Sequence, residues 1–454
     1  MASGARTRWR AAVKPGCEPR RAGLDAAREL DGERQLTRRR ATVAPCRERS
    51  RVLTDPACLF RAGLVCTRWR RILADPAFLR RRRALHRTAP VLGFVRVVNS
   101  QLPFASRFAP SDASGRPAAR DLPGWLALDC RHGRALFLTP SPGLRTEVTL
   151  DLVVWDPLTN EQRRLPSPWS PPLEAGGVVS DGPFGPLEFQ FNAAVLCAAA
   201  AQGCDHRDCR GGPFRVVFIC TNPISIGGGG YWETKAWVFS SETGTWAGIG
   251  TYLAPNVCLD ISPCPSALVG DAVYFRANAS HIFVCRFGAQ PHSLTMIYPP
   301  IQSLYILTFS CPMLMEDGGL GFANVEEEPS LCIRLWSLSR ERTSAGYAQW
   351  TQGRAIELEP LLPDGALPSP LVPSVPPDRN ASVVGFVEGT DIIFVSTWSP
   401  SHTAGGVYMV LLNSLRARRV LEDHGVVFPY TSFCIPVIDA AYSGEAPGAG
   451  VSRT

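Results

Sequence analysis

The sequence predicts a mainly β fold, a β-propeller of six to eight blades, preceded by a small helical segment and a disordered basic N-terminus. Three observations carry that prediction. Gly and Pro, 40 of each in 454 residues, punctuate the chain densely enough to favour a turn-rich β architecture over a helical bundle. Charge is unevenly divided: residues 1–90 hold 23 Lys/Arg and 8 Asp/Glu, whereas the remainder holds 24 and 32, so two parts of different kind meet near residue 90. After Val91, short β-rich runs alternate with Gly/Pro/Asp turns, and one pattern recurs.

Residues 1–52 are arginine-rich with little periodic hydrophobicity, and a disordered leader is expected because such a segment buries too little apolar surface to offset its ordering entropy. Residues 53–90 read as short helices. Asp55-Pro56 and Asp75-Pro76 each place an N-cap before a proline at the first helical position. Leu59, Leu64, Val65, Trp69, Ile72 and Leu73 follow near helical spacing, and Phe78, Leu79 and Leu85 continue it in the second helix. The runs Arg38-Arg39-Arg40 and Arg80 to Arg83 read as a solvated basic face. No aromatic interleaving accompanies them, so nucleic acid is not expected as a partner.

From residue 91 to 445, strands are expected at Trp125–Asp129, Ala135–Leu138, Leu152–Trp155, Phe214–Cys220, Ala236–Ser240, Ala272–Phe275, Ile282–Phe287, Leu331–Leu335, Ile392–Thr397 and Val407–Leu412. The recurring unit is a strand carrying an aromatic, a polar turn and a second strand. It occurs at Val153–Pro166, Ala236–Trp246, Arg334–Trp350 and Tyr408–Leu421, with an intervening unit at Gly270–Phe275 and an echo at Glu388–Phe394. Each unit has a sheet face to bury, and radial stacking buries those faces while leaving only short edges. Residues 446–454 read as a disordered tail.

Asp55 to Leu73, with its Val65-Cys66-Thr67-Arg68-Trp69 core, resembles the second half of an F-box of the type abundant in grasses, and Asp75 to Arg81 resembles that family's exit helix. The blade-like units after residue 90 resemble the F-box-associated, kelch-like propellers of the same plant proteins. The N-terminal half of the F-box, usually a Leu-Pro-x-Asp-Leu-Leu-type helix, has no counterpart before Leu53. The resemblance implies a non-catalytic substrate-recognition subunit of a Skp–cullin–F-box type E3 ubiquitin ligase. Leu59, Leu64, Val65, Cys66 and Trp69 would face a Skp-family adaptor joined to a cullin scaffold, and the propeller would hold a protein substrate. A degenerate paralogue acting only as a propeller interaction module, or a propeller enzyme or sugar binder, is the alternative. Loops at Ser170–Pro186, Pro223–Trp232 and Pro360–Arg379 are candidates for recognition or for linkers.

Local motifs for chemistry are sparse. The 15 scattered cysteines, several in apolar runs (Cys220, Cys285, Cys332, Cys434), read as reduced buried thiols, which suits a cytoplasmic or nuclear protein. Cys204-Asp205-His206-Arg207-Asp208-Cys209, with Cys197 nearby, has zinc-ligand chemistry, but no second ligand pair at finger-like spacing follows, so no metal is expected. Gly227 to Gly230 lacks the Lys-Ser/Thr and helix of a phosphate loop and reads as a hairpin. Neither a Gly-x-Ser-x-Gly elbow nor a His-Glu-x-x-His pair occurs, so neither catalytic residues nor a cofactor is expected. No apolar run reaches the length of a membrane span.

Overall fold

The computed structural model describes Leu59, residues 67–86 and most of residues 88–433, the longer interruptions falling at 112–117, 142–149, 169–189, 258–263, 301–309, 340–348, 368–380 and 399–404. The expected leader and tail, and Leu64, Val65 and Cys66, lie outside the described residues. Among the described residues, two short helices precede the sheets: α1 (Thr67–Ala74) and α2 (Pro76–Leu85). The start signal of α2 works as its residue types require. The Asp75 carboxylate accepts from the Ala77 N–H at 2.8 Å, and Pro76 fills a position whose N–H has no helical partner. Leu73 of α1 is fully buried and packs with Leu59 and Phe78.

Six four-stranded antiparallel sheets follow, within the predicted range of blades. The chain opens with β1 (Val91–Asn99), β2 (Ala105–Pro110) and β3 (Arg120–Pro123). Blade two is β4 (Leu126–Arg131), β5 (Arg134–Pro140), β6 (Leu150–Trp155) and β7 (Gln162–Pro166). Blade three is β8 (Gln190–Cys197), β9 (Phe214–Ile226), β10 (Gly229–Ser240) and β11 (Thr245–Ala254). Blade four is β12 (Ala267–Val269), β13 (Ala272–Ala277), β14 (His281–Arg286) and β15 (Ser293–Ile297). Blade five is β16 (Cys311–Leu314), β17 (Leu320–Glu326), β18 (Cys332–Leu338) and β19 (Trp350–Glu357). Blade six is β20 (Ala381–Phe386), β21 (Ile392–Thr397), β22 (Gly406–Leu411) and β23 (Arg416–Leu421). The last strand, β24 (Val427–Thr431), pairs with β1, so blade one has the order β24-β1-β2-β3 and the ring is closed by strands from both ends of the propeller sequence.

Burial falls from the inner to the outer strands in most blades. Every residue of β4 is buried, whereas β7 buries only Leu165 and most of β19 is exposed. Most innermost strands are covered on both faces, whereas the outer strands meet solvent. Apolar clusters fill the blade interfaces. Phe108 of blade one meets Trp155 of blade two edge-on at 5.9 Å, and Phe94 of blade one meets Phe394 of blade six at 5.4 Å. The recurrent Trp of the outer strands has a second task. Trp246 Nε1 donates to the Pro166 carbonyl at 3.0 Å and Trp350 Nε1 to the Tyr298 carbonyl at 2.8 Å, each clasping the preceding blade at its rim.

Two regions differ from expectation. Pro223–Trp232, expected as a recognition loop or linker, belongs instead to the hairpin read at Gly227 to Gly230: Gly229 faces Ile226 and Trp232 faces Pro223 across long strands. The Arg80 to Arg83 run is not uniformly solvated. Arg82 is buried; its Nη1 donates to the Phe433 carbonyl at 2.8 Å and its guanidinium lies over the Phe433 ring, joining α2 to the chain just past the closing strand. A tract read only by charge density hides such a residue, because an arginine stem and head are readily covered when a carbonyl and a ring face receive them.

Candidate functional site

One mouth of the central channel carries a group of buried polar side chains. It opens into a cavity of about 220 Å³ lined by residues at the ends of innermost strands, among them Asp129, Arg131, Leu314, Phe386, Glu388 and Thr431. Asp129 and Arg131 sit two apart on β4, so their side chains share a face of the strand. Asp129 Oδ2 accepts from the Val195 N–H on β8 at 2.8 Å and from Arg131 Nη1. Arg131 Nε reaches Glu388 Oε1, beyond β20, at 2.5 Å, and its outer nitrogens donate to the Ser266 hydroxyl (3.1 Å) and carbonyl. One guanidinium therefore ties blades two, four and six. Burial pushes the Asp129 carboxyl up to about 6 against the opposing pull of Arg131 and the Val195 N–H. Burial opposes the charge of Arg131, and Asp129 and Glu388 more than offset it, so the guanidinium stays cationic.

Beside this network lies a second cluster. The β4–β5 turn is His132-Gly133, with φ of 53° and 74°, the positive pair that a two-residue hairpin of this hand requires. A side chain at Gly133 would also press on Arg210 from 3.1 Å. Burial, and then His206 and Arg131, hold the His132 imidazole well below its usual value, so it is neutral at pH 7. His132 stacks on His206 of the β8–β9 loop at 4.3 Å between ring centroids, 9° from parallel, and both line the cavity. That loop brings together Cys197, Cys204, His206 and Cys209, whose ligand atoms all lie within 4.8 Å of one another. The linear spacing offered no second ligand pair. In space, Cys197 at the end of β8 supplies the fourth donor. Burial pushes the thiols of Cys197 and Cys209 up. Among the described residues nine cysteines are free, and eight of them are buried.

Of the adaptor-facing residues expected from the sequence, Leu59 is buried against Leu73, and Trp69 is partly exposed on α1. The Asp129–Arg131–Glu388 network was invisible to hydrophobic patterning, which assigns charges to surfaces. Its one sequence signal is the placement of Asp129 and Arg131 inside the run Leu126–Arg131.

No family model and no curated protein matches the sequence. Solved structures are similar only weakly. A protein described as a 6-phosphogluconolactonase from Bacteroides fragilis is 6% identical with a TM-score of 0.31, covering 74% of this chain and 96% of its own. The GH93 α-L-arabinofuranosidase of Fusarium graminearum is 8% identical with a TM-score of 0.30, covering 68% and 82%. The WD40 domain of SCAP from fission yeast is 10% identical with a TM-score of 0.28, covering 72% and 86%. No helix among the described residues is long and apolar enough to cross a membrane.

Proposed function

We propose that the protein is a non-catalytic binding subunit whose propeller holds a protein target and whose N-terminal helices dock on a Skp-family adaptor within a ubiquitin ligase. The observation that carries this reading is the state of α1. Of its eight residues only Leu73 is buried, while Trp69, at the centre of the F-box-like run, stays partly exposed. A large aromatic left accessible on a short helix is the kind of anchor that protein interfaces use. The helices are not a loose appendage: the Arg82–Phe433 contacts fix α2 to the propeller, so a bound adaptor would hold the propeller at a set distance. Such an arrangement acts by raising the local concentration of a target's lysines near a ubiquitin-bearing enzyme.

The channel mouth supports a binding role over a chemical one. Asp129 and Arg131 spend their hydrogen-bonding capacity on each other, on Val195, on Ser266 and on Glu388. Charges satisfied in this way brace a ring and leave little for a substrate.

The test is a pull-down of the full chain with a plant Skp-family adaptor beside the Trp69→Ala variant, each checked by circular dichroism. Saturable binding that weakens about tenfold or more in the variant, as expected for an interface anchor, supports the reading. A folded chain that does not bind removes the ligase and leaves a propeller interaction module.

A further inference from the structure

We infer that Cys197, Cys204, His206 and Cys209 form a structural zinc site that pins the β8–β9 loop at the channel mouth. The inference does not depend on the ligase reading. Three sulfurs and one imidazole nitrogen stand within 4.8 Å of one another. A tetrahedral zinc with bonds of about 2.0–2.3 Å places its ligand atoms about 3.5–3.8 Å apart, so a contraction of about 1 Å closes the shell. A disulfide would use two of the four and leave a thiol and an imidazole facing it. Four protein donors also leave no open coordination position, which is the pattern of a structural rather than a catalytic site, and a thiolate-rich set selects zinc over magnesium or calcium.

The backbone around the cluster is built to hold it. Cys197 ends β8 and is fixed by the sheet. The Ala198 N–H donates to the Pro213 carbonyl at 3.0 Å, closing the loop's base, and the Cys204 N–H donates to the Ala199 carbonyl at 3.2 Å. Arg134 Nη2 donates to the carbonyls of Cys209 (2.7 Å) and Gly212 (2.6 Å). His206 adopts φ of 56°, a left-handed conformation uncommon outside glycine, and thereby sets its Nδ1 3.9 Å from the Cys209 sulfur. The His132 ring stacks parallel to this imidazole and restrains its plane.

Charge supplies an independent argument. Three thiolates, one neutral imidazole and Zn²⁺ sum to −1. Arg134 is buried beside the cluster, and its Nη1 has no hydrogen-bond partner among the described residues. A zinc–thiolate centre would place a net negative charge beside this guanidinium. Because His206 lines the cavity, loading the site would set the shape of the mouth.

The experiment is metal analysis of the full chain purified without chelator, followed by Co²⁺ substitution. The expected result is one zinc per chain, and, with Co²⁺, the visible bands of a tetrahedral ion together with thiolate charge-transfer absorption. Cys204→Ser and His206→Asn should each weaken Zn²⁺ binding at least about tenfold, whereas Cys332→Ser, in blade five, should not. Cys204 is only partly buried, so its variant tests ligation with little cost to the fold. A folded wild-type chain that takes up well under one equivalent of Zn²⁺ overturns the site. So does a Co²⁺ spectrum without thiolate bands, or equal metal content in all variants.

Discussion

The Tyr430 hydroxyl donates a hydrogen bond to Oδ1 of Asp156 at 3.1 Å. Tyr430 lies on the closing strand β24 and Asp156 in the turn after β6, so the contact fastens the last strand of the propeller to the neighbouring blade. The other carboxylate oxygen pairs with Arg210 of the β8–β9 loop at 2.7 Å, extending the link to blade three. Burial and the adjacent carboxylate keep the Tyr430 phenol protonated well above its usual value, so the donor persists at any physiological pH.

Tyr430→Phe keeps the ring, with its edge-on contact to Phe108, and removes only this donor. Hydrogen bonds to charged groups contribute about 1.5–3 kcal/mol, and a loss of that size is expected in urea unfolding. A change near zero would show that Arg210 and the Leu158 N–H satisfy Asp156 without the phenol.

The seam between blades six and one is tight enough to exclude a methyl group. A Cβ at Gly385 on β20 would stand 2.6 Å from the Val427 carbonyl oxygen on β24 and 3.2 Å from the Val427 side chain. The nearest atom is backbone of the closing strand and cannot rotate away. Gly385→Ala should therefore destabilise by about 1–3 kcal/mol, the usual range for overpacking. Limited proteolysis should cut first near β24 if the strain opens this seam, and elsewhere if it does not.

Much of the ring was legible because its outer half obeys local rules. The four sequence repeats fall on β6–β7, β10–β11, β18–β19 and β22–β23, the third and fourth strands of four blades. There an aromatic, a turn and a half-exposed strand leave a readable alternation. The units at Gly270–Phe275 and Glu388–Phe394 fall on second strands. What stayed hidden is non-local. Pairing of Val91 with Thr431 leaves no trace in either segment, and β12 and β16, at three and four residues, are too short for a period. The same holds for the site. Asp129 meets Glu388 through Arg131 only because the ring closes, and Cys197 meets Cys204, His206 and Cys209 only because the β8–β9 loop folds back on its own strand.

Removing the cation from the channel network tests its role directly. Arg131→Met fills similar space but leaves Asp129 and Glu388 facing a low-dielectric cavity without their shared partner. Breaking a buried ion pair from one side costs about 3–5 kcal/mol, and a shift of that size in denaturant unfolding is expected. A loss below about 1 kcal/mol would mean that water reaches these carboxylates freely.

The pH dependence of the network follows from Asp129. Its carboxyl is raised from an ordinary value of 3.8 to about 6, chiefly by burial. The folded chain thus holds this proton more tightly than the unfolded chain. Its contribution to stability is fully present below about pH 4 and is lost as pH rises through about 6. Asp129→Asn cannot titrate and lacks that loss. Denaturant midpoints measured at pH 4.5 and 7 for both proteins isolate the effect, because every other group is common to the two. Wild type should lose stability relative to the variant between these values. If it gains instead, the attraction of Arg131 and the Val195 N–H outweighs desolvation, and the Asp129 carboxyl lies below its ordinary value in the folded ring.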